Sequence, residues 1–258
     1  MTDEVMTPET PDLFEGMTAI SAVLDESIRD FNDRRVLTVF VDKTRMDKKA
    51  REIAYLHRRA AELGFTVQPV HPDDLDNLTS GKTHGGIVAV CSDRTLPLLS
   101  ESMDKIREGG FYVLLEGIED PYNFGYALRS IYAAGADAVI LTPRNWMSAA
   151  GVVCRSSAGA SELLPLFVSE PDEAVHIAKS AGYKVVCAGI RDSVSAFDAD
   201  LTRPIFLIVG GEKRGISRAV LDLADEVVRL DYGRPFRGSL SAASAASILA
   251  YEVLRQNR

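Results

Sequence analysis

Histidine, cysteine and tryptophan are scarce in this chain, at four, three and one among 258 residues. No HxxxH or CxxC pair occurs, so the ligand spacing of a structural or catalytic zinc site is missing and no metal is expected. Cys91, Cys154 and Cys187 are far apart, odd in number and set among apolar or small residues. They read as buried free thiols of a reducing cytoplasm rather than as a disulfide framework. Also missing is any run of about 18 apolar residues, which excludes a membrane-spanning helix on this reading. The first dozen residues, MTDEVMTPETPD, lack the basic start and apolar core of a signal peptide and read as a solvated tail, 1–12. Positive charge is in deficit too, with 29 Lys and Arg against 37 Asp and Glu, a net −8. Proteins that hold nucleic acid by bulk charge are basic, so such a partner would need a local concentration.

One concentration exists. From Arg34 to Arg59 there are nine basic residues and three acids (Asp42, Asp47, Glu52), a local charge of 9 − 3 = +6. Within it, Met46, Ala50, Ile53, Leu56, Ala60 and Leu63 recur at helical spacing and predict a helix over 47–63. Lys48, Arg51, Tyr55 and Arg58 fall on the opposite face. A solvated surface helix explains them. So does an RNA-binding face, with Tyr55 free to stack on a base.

The rest is an alternating chain with 46% hydrophobic residues, enough for a core. Strand-like runs at 36–42, 66–70 and 86–90, with a helix from near Thr18, predict a small α/β unit over 13–93. The stretch 94–108 reads as a linker or connecting helix. From 109 the pattern restarts: strands at 111–116, 138–142, 184–190, 204–211 and 226–230 alternate with helical segments near 123–134, 148–158, 171–181, 217–224 and 239–256. That alternation predicts a mostly parallel sheet covered by helices on both faces.

Three clusters in the second half combine turn residues with polar groups. In EDPYNFGYALRS (119–130), Asn123 sits where a helix starts and reads as an N-cap or a ligand; Arg129 follows inside the helix. VGGEKRGIS (209–217) is a glycine-rich turn at the end of a strand, where open α/β sheets bind ligands. It fits neither a Walker loop nor GxGxxG, so its glycines serve a turn or a ligand. LDYGRPFRGSLS (230–241) leads into a helix whose first half is almost all Ser and Ala. Arg234 and Arg237 there are solvated charges or phosphate holders.

Together and in this order, DPYNFGYALR (120–129), GGEKRGIS (210–217) and SLSAASAA (239–246) resemble the three motifs of the SpoU/TrmH family of RNA ribose 2′-O-methyltransferases. RSSAGASELLP (155–165) resembles a further family element, and residues 15–90 are similar to the small substrate-binding domain many members carry. The resemblance spans about residues 13–258. It implies an α/β C-terminal parallel-sheet SPOUT domain with a deep trefoil knot, plus a small N-terminal α/β (L30e-like) domain. It also implies S-adenosylmethionine as cofactor, RNA (ribosomal before transfer) as substrate, a cytoplasmic homodimer, and subunits that complete each other's sites. Carried over by position, Gly210, Gly211, Leu230, Leu240 and Ser241 would hold the cofactor. Asn123, Arg129, Glu212 and Ser239 would form the catalytic constellation.

An arginine keeps its proton in proteins, so Arg129 is read as positioning and polarising the acceptor rather than as a base. The family's third motif commonly has Asn where this chain has Ser241. That departure leaves room for a binding or assembly factor of the same fold with reduced turnover.

Overall fold

The computed structural model describes residues 12–79, 84–143 and 149–258. Most of the expected tail therefore lies outside the described residues, and its last member, Asp12, already belongs to a strand. The first sheet is built from β1 (Asp12–Glu15), α1 (Gly16–Val23), β2 (Val36–Asp42), α2 (Ala50–Leu63), β3 (Thr66–Val70), α3 (Pro72–Leu78) and β4 (Ile87–Cys91). Its order is β1-β4-β2-β3, with β4 antiparallel to both neighbours and β2 parallel to β3. Alternation in β2 sends Val39 and Val41 inward to meet Phe14, Ile20, Leu56 and Ile87.

Helix α2 begins at Ala50 rather than Asp47, so Lys48 lies in the turns before it. It ends at Gly64, whose φ of +81° closes the helix in the left-handed region. Tyr55 also differs from expectation. It packs partly against the core, and the Arg58 guanidinium lies 5.6 Å from its ring centre. Residues 94–108 contain one 3₁₀ turn, Met103–Lys105, and no α-helix.

The second sheet uses β5 (Phe111–Glu116), α4 (Pro121–Ala133), β6 (Ala138–Leu141), α5 (Ala150–Ser156), α6 (Ala160–Leu163), β7 (Leu166–Val168), α7 (Pro171–Ser180), β8 (Lys184–Ala188), β9 (Val194–Ser195), β10 (Ile205–Gly210), α8 (Arg218–Leu223), β11 (Glu226–Arg229) and α9 (Ala242–Gln256). The order β7-β6-β5-β10-β8-β11-β9 is parallel throughout. Central strands β5, β6 and β10 are buried on both faces, which is why they read as unbroken apolar runs. One face carries α4 and α9, the other α7 and α8.

The two sheets meet at a polar joint. Arg34, 1% exposed, pairs with Asp12 at 2.7 Å and Glu162 at 3.2 Å. Asn32 Nδ2 donates to Glu162 Oε2 at 2.9 Å, and Arg94 donates to the carbonyls of Ser161 and Leu164. Buried charges persist when paired in this way. A Cβ on Gly151 of α5 would lie 1.9 Å from the Leu13 carbonyl oxygen, so β1 rests directly on the second unit. The 155–165 element is thus part of this joint.

Candidate active site

Asp120 caps α4: its carboxylate accepts from the Asn123 amide at 2.8 Å, and Pro121 fills the first helical position. Asn123 is therefore not the cap. It is the third residue of the helix with its side chain free to reach elsewhere, and its Nδ2 donates to Glu212 Oε1 at 3.2 Å. The same oxygen accepts from the backbone amide of Ala242 at 3.3 Å. Glu212 thus places negative charge at the N-terminus of the 15-residue helix α9, where the unpaired amides and the helix dipole favour it. One carboxylate oxygen ties the first, second and third motifs together.

Glycines make that meeting possible. A Cβ on Gly211 would lie 2.0 Å from the Gly117 carbonyl oxygen, and one on Gly210 would lie 2.4 Å from the Gly215 carbonyl carbon. The Gly211 amide donates to the Glu116 carbonyl at 2.6 Å. The missing side chains at 210 and 211 make room for the chain's own backbone, so the β10 loop wedges against the β5–α4 turn. Both Glu116 carboxylate oxygens accept from the Ser217 amide at 3.3 Å, which pins the far end of that loop.

Ser241 is the N-cap of α9, its Oγ accepting from the Ser244 amide at 3.1 Å. Asparagine and serine cap equally well, so the departure at 241 keeps the helix start. Leu230 and Leu240 are half-buried and Ser239 is exposed. Arg129 is exposed on α4 and, among the described residues, has no hydrogen-bond or salt-bridge partner. It makes no hydrogen bond or ion pair with Asn123 or Glu212. Arg234 and Arg237 are exposed in the β11–α9 loop, as are Lys48, Arg51 and Arg58 in and before α2.

A cavity of about 110 Å³ opens on this cluster, lined by Asp120, Asn123, Glu212, Lys213 and Ala242. A larger cleft of about 450 Å³ lies on the α7–α8 side, lined by residues such as Glu116, Glu170, Asp172 and Arg214. Size favours the second, but the polar groups of all three motifs converge only on the first. Sequence reasoning missed Asp120 and the Ala242 amide. Asp-Pro before an apolar helix is a cap signature that marks Asp120; nothing in a sequence marks a backbone amide.

The SpoU rRNA Methylase family model matches residues 110–251, and a model described as RNA 2′-O ribose methyltransferase substrate binding matches residues 13–97. A Burkholderia 23S rRNA (guanosine-2′-O-)-methyltransferase RlmB is 31% identical over 249 residues, covering 95% of this chain and 96% of that protein. The RlmB of Photobacterium profundum is 28% identical, with coverages of 96% and 98%. Among solved structures, the SpoU methyltransferase AviRb of Streptomyces viridochromogenes with AdoMet superposes with a TM-score of 0.74 at 28% identity, covering 95% of this chain and 89% of that one. An AdoMet-bound rRNA methyltransferase of Sinorhizobium meliloti, at 22% identity and TM-score 0.75 over 94% and 86% of the two chains, shares the fold. This chain belongs to the SpoU rRNA methylase family.

Proposed function

We propose that this protein methylates a ribose 2′-hydroxyl of structured RNA, ribosomal RNA first, with S-adenosylmethionine as donor. The observation that carries the reading is the single Glu212 oxygen joining Asn123 to the start of α9. It assembles three separated motifs into one site at the C-terminal edge of a parallel sheet.

The residues fit the cofactor. Loops leave neighbouring strands β10, β8 and β11 at that edge. They offer backbone donors and acceptors around half-exposed Leu230 and Leu240, a setting suited to an adenosine. Gly210 and Gly211 bring the loop close, and Ser241 holds the helix beside it. The implied trefoil crossing of these loops is part of the proposal. When bound, the cofactor supplies an electrophilic methyl group on a sulfonium.

This chain's own residues position the acceptor. Asn123 and Glu212 form a fixed polar pair beside it, and Ser239 stands at the rim. Arg129 holds a phosphate or the developing 2′-oxyanion through its planar fork. Because Arg129 projects from its own site with no partner, we place it at the site of a second copy. Tyr122, Tyr126 and Tyr132 on α4 and Ile248 and Tyr251 on α9 are 41–50% exposed on helices that pack together, an apolar face suited to a symmetric dimer. Lys48, Arg51 and Arg58 serve the RNA backbone, with Arg58 over Tyr55 as a mixed aromatic–cation surface. The work of such an enzyme is cytoplasmic.

The test is mapping of ribose methylation in RNA from cells with and without the gene, followed by methyl transfer to that RNA by the purified protein. Loss of one 2′-O-methyl group on deletion supports the reading. An unchanged map, with no transfer to ribosomal or transfer RNA, rejects it.

A further inference from the structure

All nine residues from Asp231 to Ser239, between β11 and α9, are exposed, yet the loop is ordered by its own aromatics. Tyr232 meets the Phe236 ring edge-on, with centroids 5.6 Å apart, and its hydroxyl accepts from the Leu240 amide at 3.3 Å. Gly238 lies so close to Phe236 that a Cβ there would come within 2.6 Å of the ring. The ring is held from two sides while 58% of its surface stays open to solvent. Phenylalanine left so exposed forgoes most of the free energy its burial would supply. A turn that only had to connect β11 to α9 gains nothing from fixing an aromatic in water.

Its neighbours say what would cover it. Arg234 and Arg237 flank the ring in sequence, both exposed and, among the described residues, without hydrogen-bond or salt-bridge partners. In a chain of net charge −8, two uncommitted arginines around a fixed ring complement an anionic ligand with a flat apolar face. The loop runs straight into Ser241 and Ala242, and the Ala242 amide is bonded to Glu212. The loop that carries the platform therefore leads directly into the helix start that Glu212 holds.

We propose that Phe236 is a stacking platform for an unpaired nucleobase next to the methyl acceptor, with Arg234 and Arg237 on the adjoining phosphates. The proposal rests on the RNA methyl-transfer reading and deepens it: the substrate must present a splayed, single-stranded base at this loop. Aromatic stacking tolerates any base and is insensitive to salt, whereas arginine–phosphate contacts release counterions and are salt-dependent.

The test is binding of the full-length protein to a labelled oligouridylate and to an abasic strand of equal length, across a salt series. Phe236→Ala is expected to weaken oligouridylate binding about 5- to 100-fold, leave the abasic strand unaffected and leave the salt slope unchanged. Phe236→Trp is expected to restore binding, and Gly238→Ala, which displaces the ring, to reproduce the loss. Arg234→Ala and Arg237→Ala are expected to weaken both strands and lower the salt slope by about one each. Several results would overturn the proposal. They are no binding of oligouridylate by the unaltered chain, equal losses on both strands, a loss of S-adenosylmethionine affinity in Phe236→Ala, or weakened self-association in that variant. None of these readouts needs turnover, so failure of the platform and failure of the methyl-transfer reading show up separately.

Discussion

Arg129 carries the sharpest consequence at the scale of single residues. It is exposed and has no hydrogen-bond or salt-bridge partner among the described residues, so Arg129→Lys is expected to leave the fold alone while removing the planar fork. Methyl transfer in this variant is expected to fall about 10²- to 10³-fold, with an unchanged melting temperature, in single-turnover assays. Near-full activity would reject the positioning role. Its neighbour in the motif shows where sequence reading stops. Asn123 is legible as a helix-start residue, but the choice between cap and ligand turns on Asp120 taking the cap three residues earlier. The charge count of 34–59 has the same limit. Arg34 is spent in the joint, Arg59 on Glu26 and Glu62, and Arg45 on Asp42. A sum of charges does not distinguish these from the exposed Lys48, Arg51 and Arg58.

Among elements, α9 concentrates the testable features. Its start depends on Ser241, so Ser241→Ala is expected to cost about 1 kcal/mol and Ser241→Asn a few tenths, read from urea denaturation. Its end depends on Glu252, which accepts two bonds from Arg255 and one from Gln256. Bonding to Arg255 holds the Glu252 carboxyl below the ordinary carboxylate range. A carboxylate depressed in the folded state adds stability that is present above its ordinary value and lost as pH falls through the folded one. Glu252→Gln is therefore expected to destabilise by about 1 kcal/mol near neutrality and to flatten the acid limb of a stability–pH curve. An equally steep limb in the variant would count against it.

Legibility at this scale follows length and burial. The runs at 36–42, 66–70 and 111–116 are strands end to end because β-branched and aromatic residues make up at least half of each. Strands β7 and β9, with three and two residues, and the four-residue helix α6 are too short to show a period. Asp12–Glu15 became a strand through pairing with β4, a long-range contact that local pattern does not contain.

For the whole molecule, the exposed face of α4 and α9 predicts self-association. Tyr126→Asp or Tyr251→Asp is expected to convert a dimer into a monomer in sedimentation and to remove methyl transfer, although neither side chain hydrogen-bonds to the Asn123–Glu212 pair. Mixing Arg129→Lys with Glu212→Gln protein is expected to recover part of the activity if each subunit supplies its arginine to the other. No recovery would place Arg129 in its own subunit's site.

The Glu212 bridge also bears on how the protein is made. Its two bonds span 89 and 30 residues of sequence, so the parts of the site meet only after long loops have closed, a slow step in any fold. A chain emerging from the ribosome can complete every strand of the second sheet, β11 being the last, while α9 is still unmade. Until residue 242 arrives, Glu212 has no helix end to face. The Ala242–Glu212 bond is therefore among the last features to form, and truncation just before α9 removes the third motif from the site together with the core residues Leu249, Ala250 and Val253.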